Sequence, residues 1–155
     1  MLLGLLTTAL SGSAAGVLDD LTRLAVTIEV KQPVGVSADD LRQRVLVSLA
    51  ALEPDLMVAE GSADRLQLAI AVSSYSSSEL RGFPLPFSGT YAVGTVRLTL
   101  HRAVQIVGRP AGVVSASVWE RERHIATRSS AAAQAVHRAM AELLDDFVAA
   151  RRASR

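Results

Sequence analysis

The chain has no cysteine among its 155 residues. That excludes disulfide staples, thiolate metal sites and thiol nucleophiles, and by itself assigns no compartment. Aromatic residues are scarce at 4% while half the residues are apolar, so the core has to be assembled from Ala, Val and Leu. Excess charge of one sign is missing too: the net charge is +1, which leaves no electrostatic footprint for nucleic acid. Lysine is almost absent, since fifteen of the sixteen cationic residues are Arg and only Lys31 is Lys. The arginines are scattered, which fits a GC-rich coding sequence better than a dedicated anion site.

Catalytic and metal motifs are lacking as well. His101, His124 and His137 form no His-x-x-x-His pair, and a zinc site needs three or four converging ligands. The serines of 73–78 lie in no Gly-x-Ser-x-Gly elbow and read as a flexible, linker-like loop. Glu120 and Glu122 share one strand face but alternate with Arg121 and Arg123. A general acid–base pair needs surroundings that push two pKa values apart. This alternation reads instead as a solvated edge with cross-strand ion pairs, which also discourages edge aggregation. The sequence predicts no enzyme, no metal and no cofactor.

What is present is period-two alternation. Leu66, Leu68, Ile70 and Val72 alternate with small or polar residues, as do Val96, Leu98, Leu100 and Val104. Each run predicts a strand with one apolar face, suited to a sheet with one solvated side. An earlier strand is expected over 24–31, with Leu24, Val26, Ile28 and Val30 on one face, and a short edge strand over 55–60. A further strand is expected over 113–123, folded back as a hairpin that sets Val104 near Ala116 and His101 near Trp119. In that register Leu100 would face Glu120, so the strand is expected either to bulge or to leave the core there. Two helices complete the pattern. Ser37 with Asp39 and Asp40 caps one that carries Leu41, Val45, Leu49 and Leu52 and stops at Glu53-Pro54. Ser129 or Ser130 caps the other, over 131–152, with Val136, Met140, Leu143 and Phe147 as its stripe. Arg151, Arg152 and Arg155 suit that helix's C-terminus and could also touch lipid head groups. The expected fold is α+β: a two-layer sandwich with a mainly antiparallel sheet of about four strands and two amphipathic helices on one face.

Two segments stand outside this scaffold. Residues 1–16 read as a signal-peptide-like segment ahead of one domain at 17–155. Their apolar run, 2–10, is too short to span a bilayer. The other is the long connection 73–89. Connections of that length are usually functional or disordered. Arg81, Phe83, Leu85, Phe87 and Tyr91 give it the composition of a protein-binding hot spot, stiffened by Pro84 and Pro86. The competing reading is that these side chains plug an open end of the core.

Leu10-Ser11-Gly12-Ser13 resembles the lipobox of bacterial lipoproteins, with Ser13 at the position of the lipidated Cys. Together with the strand over 24–31, the capped helix from Ser37, Ala63-Asp64-Arg65-Leu66-Gln67-Leu68, the long strand over 91–107 and the Ala-rich last helix, the chain resembles small bacterial envelope lipoproteins, among them the LPS-assembly lipoprotein (LptE-like) family. The short motif that follows the lipidated Cys in that family is missing after Ser13. The resemblance implies a periplasmic, outer-membrane-anchored, non-enzymatic accessory of an envelope complex. Its partners would be an envelope protein such as an outer-membrane barrel or transporter component, with lipid or LPS contact. The alternative is a secreted binding domain for a small amphiphile or glycan, its pocket walled by Trp119, His101 and the long loop.

Overall fold

The computed structural model describes residues 18–32, 35–80, 82, 88–105 and 112–155. The elements follow the order strand β1 (Arg23–Val30), helix α1 (Ala38–Leu52), β2 (Met57–Val58), β3 (Arg65–Ser76), β4 (Thr90–Gln105), β5 (Val113–Arg128) and helix α2 (Ala132–Ser154). The five strands form one sheet in the order β2-β1-β3-β4-β5. The architecture is the expected α+β one, with a more mixed sheet. β1 runs parallel to both β2 and β3, while β3, β4 and β5 are antiparallel. The parallel pairing follows from α1, which carries the chain back across the sheet between β1 and β3.

Alternation sets the two faces. Leu24, Val26, Leu66, Leu68, Ile70, Val72, Val96, Leu98 and Leu100 are buried, and they form one core with Leu41, Val45 and Leu49 of α1 and Val136, Met140, Leu143 and Phe147 of α2. Ser37 caps α1 as its sequence implies, its hydroxyl accepting from the Asp40 backbone N–H at 3.0 Å. The core also takes in Leu18 and Leu21, ahead of β1, which alternation did not single out.

Four expectations need correction. The serine-rich stretch is not all loop: Ser73–Ser76 continue β3, paired with Val93 to Thr90. β5 is longer than expected and ends at Arg128, where a short 3-10 turn (Ser129–Ala131) leads into α2. Neither serine caps α2; the cap position is Ala131, without a side-chain hydrogen bond, and Ser129 Oγ lies 3.5 Å from Ser74 Oγ. The β4–β5 register is also different. Val104 lies opposite Val114, and Leu100 opposite Trp119. Of the two outcomes expected there the strand bulges, between Leu100 and His101, which leaves Val118 without an opposite residue. The physical reason is Trp119. Packed edge-to-face on Phe147 at a centroid distance of 5.4 Å, it fixes the register from the core side, a geometry worth about 0.5–1.5 kcal/mol beyond burial.

The C-terminal arginines are not a solvated tail. Arg151 and Glu53 are both almost fully buried and paired. Arg151 Nη2 also donates to the Leu21 carbonyl at 2.8 Å, and Arg152 Nε donates to Glu53 Oε1 at 2.8 Å. Asp55 receives Arg151 and Arg155, and the Arg151 hydrogen bond, foremost, holds its carboxyl below the usual range. The cluster ties the end of α2 to the end of α1 and to the segment leading into β1.

Candidate functional site

The long connection opens from a built neck. Ser77 N–H donates to the Gly89 carbonyl at 2.8 Å, and Gly89 N–H donates to Ser77 Oγ at 3.3 Å. Glu79 turns back on the strand end, accepting from Ser76 N–H at 2.6 Å and from Ser76 Oγ at 2.8 Å. Those bonds, the backbone one first, hold the Glu79 carboxyl below its ordinary range. The Glu79 and Leu80 amides close onto the Ser76 carbonyl at 3.0 and 3.3 Å. Gly89 has φ 143°, which favours glycine where the chain rejoins β4.

Below the neck the side of the sheet away from the helices carries both tyrosines. Tyr75 and Tyr91 lie directly opposite each other, and Arg128 lies opposite Tyr91 on the next strand. Tyr75 is partly exposed and Tyr91 buried. A polar groove of about 710 Å³ follows, lined by Ser88, Gly89, Thr90, Tyr91, Arg128, Ser129 and Ser130. Of the residues expected to bind a partner, Tyr91 thus sits at the neck. Arg81, Phe83, Leu85 and Phe87 lie outside the described residues, as does Ser13.

Farther along the same face, polar side chains bridge the strands. Gln67 bonds Glu29 and His101, each at 3.1 Å. Arg97 grips Glu122 Oε2 at 2.6 Å and stands 3.8 Å from Glu120, while Thr99 Oγ1 lies 3.3 Å from Glu120. The cross-strand ion pairs expected around Glu120 and Glu122 are therefore present, both directed to Arg97. The three histidines stay apart: His101 on Gln67, His124 3.7 Å from Glu122, and His137 3.4 Å from Asp40. Among the described residues, no group of three or more His, Asp or Glu is placed to hold a metal ion.

Trp119 and His101 cannot wall one pocket, because they occupy opposite sides of the sheet. Trp119 packs on Phe147 of α2, and His101 bonds Gln67 on the open side. The bulge between their strands produces this parity. The Arg151–Glu53 cluster escaped the sequence reading because its partners are far apart in sequence and carry no motif.

No protein-family model matches the chain. No curated protein matches it. Among solved structures it is similar to a minor lipoprotein from Acinetobacter baumannii, with 11% identity and a TM-score of 0.36 over 86% of this chain and 93% of that one. It is also similar to the rare lipoprotein B from Shewanella oneidensis, with 15% identity and a TM-score of 0.28 over 83% of this chain and 89% of that one. Likeness at this level carries no inference about chemistry or partner. Among the described residues, no helix is long and apolar enough to cross a membrane.

Proposed function

We propose that this chain is a periplasm-facing, non-enzymatic accessory or scaffold protein of an outer-membrane or cell-envelope assembly or transport complex. It acts by protein–protein contact and is anchored, in its native lipidated form, near position 13. The observation that carries the reading is the neck: two Ser77–Gly89 hydrogen bonds and the Glu79 turn present the loop from a fixed base at the end of a three-stranded platform. A preorganised base lowers the ordering cost of a docking loop. Arg81, Phe83, Leu85 and Phe87 supply the anchors that such a loop needs.

In its finer form the proposal resembles the LPS-assembly lipoprotein role, with contact to a barrel or transporter component and to lipid or LPS. The small-ligand alternative loses support, since its named walls lie on opposite sides of the sheet and the groove at the neck is lined mainly by hydroxyls and Arg128. Fractionation and mild-detergent purification from the native cell test the proposal. Recovery in an envelope fraction with a stoichiometric envelope protein is expected. Recovery alone, or from a fraction without envelope, counts against it.

A further inference from the structure

At the end of the sheet opposite the neck, β4 and β5 run on beyond the other described strands. β3 begins at Arg65, opposite His101, so among the described strands Arg102–Gln105 are paired by 113–116 of β5. The result is a two-stranded arm extending about 14 Å past the sheet. It starts at the bulge between Leu100 and His101. Two valines stand exposed on it, Val113 at 70% and Val114 at 41%, beside exposed Ala103, Gln105 and Ser115. Met57, 57% exposed, lies at the same end, where β2 pairs with Arg23 and Leu24. From Arg102 to Trp119 the sequence contains no carboxylate.

The root of the arm is also where the N-terminal segment joins the fold. Arg102 Nη1 lies 2.6 Å from Asp20 Oδ1 and Nη2 lies 3.2 Å from Asp64 Oδ2. Leu18 and Leu21 are buried on either side of that clamp. Position 13 is seven residues before Asp20, which permits at most about 25 Å of extended chain. The same end holds the Arg151 cluster, where three guanidiniums face two carboxylates. The start of the tether and the exposed valines therefore share one end of the domain, where the two clusters together set four guanidiniums against four carboxylates.

We propose that the β4–β5 arm rests on the lipid bilayer beside the anchor, its valines Val113 and Val114 entering the head-group region. This rests on the envelope anchoring proposed above. A bilayer fits better than a second copy or a protein groove, because the Arg102–Asp20 clamp fixes the arm within tether reach of the membrane surface. The arm would set the domain's orientation, holding the neck of the long loop away from the membrane.

The absence of cysteine makes the test direct. Full-length Val113→Cys and Val47→Cys variants, each carrying one environment-sensitive dye, are mixed with phosphatidylethanolamine–phosphatidylglycerol vesicles and followed by co-sedimentation and emission. Val47 is a suitable control because it is 67% exposed on α1. Co-sedimentation with a blue shift at 113 and none at 47 is expected. A full-length V113E/V114E variant should partition about tenfold more weakly. Co-sedimentation with position 113 still in water overturns the arm contact and leaves the anchor standing. Failure to co-sediment overturns the arm contact. A shift at 113 that needs native membrane proteins in the vesicles, or that appears without vesicles at high protein concentration, assigns the arm to a protein partner or a second copy and overturns the lipid contact.

Discussion

Arg151 and Glu53 stand 98 residues apart in sequence and are paired with both side chains almost fully out of solvent. The pair joins the last turn of α2 to the residue that ends α1, and Arg151 adds a bond to the Leu21 carbonyl ahead of β1. One guanidinium thus fastens three parts of the chain beside the proposed membrane-facing end.

Removing that guanidinium leaves Glu53 buried with only Arg152 and Arg155, both more exposed. Arg151→Met is expected to destabilise the domain by about 3–5 kcal/mol in denaturant titration, because a buried carboxylate loses its chief partner. Arg152→Ala should cost under about 1 kcal/mol, since that side chain is 59% exposed. Equal losses for the two would contradict the assignment of the buried pair.

Gly94 is required by close strand approach. A Cβ there would meet the Ala71 carbonyl oxygen and lie 2.6 Å from Val72 Cα, both of them backbone. Gly94→Ala should cost about 2–3 kcal/mol, in the upper range of overpacking. Thermal unfolding monitored by circular dichroism reads it, and an unchanged midpoint would show that β3 and β4 can separate without cost.

Phe147→Ala removes the partner of Trp119 from the core. The expected loss is about 3–5 kcal/mol, with a red shift of the emission of the chain's single Trp. A stable variant with native emission would contradict the register at Leu100.

The neck should loosen in acid. The Glu79 carboxyl is held below its ordinary value of 4.5 by the bonds from Ser76. Its contribution is present above that value and lost as pH falls through the lowered one. The exchange protection of the Ser77 and Gly89 amides, corrected for intrinsic rates, should fall over that window in the wild type. In Glu79→Gln it should be low already at neutral pH and insensitive to acid. Identical pH profiles for the two proteins would remove Glu79 from the neck.

Alternation was enough to read the buried faces of β1, β3 and β4, and Ser37 with its acids was enough to place α1. Those signals are local. The parallel pairing of β1 depends on where α1 carries the chain, and the length of β5 depends on a bulge fixed by Trp119 against a helix that comes later in sequence. Ser73–Ser76 read as linker because serine favours loops in isolation; pairing with Thr90 to Val93 overrides that preference. Of the candidate site, composition gave the aromatic loop, but its neck depends on Ser77 meeting Gly89, a contact with no sequence pattern.

The measurement that bears most directly on the central proposal compares wild-type protein with a Phe83→Ala/Phe87→Ala variant for binding to the envelope protein recovered with it from native membranes. Far-ultraviolet circular dichroism would establish that the variant keeps its fold. Hot-spot aromatics contribute about 2 kcal/mol or more each, so removing both should weaken binding by about a thousandfold. Unchanged affinity in a folded variant would contradict docking through the loop.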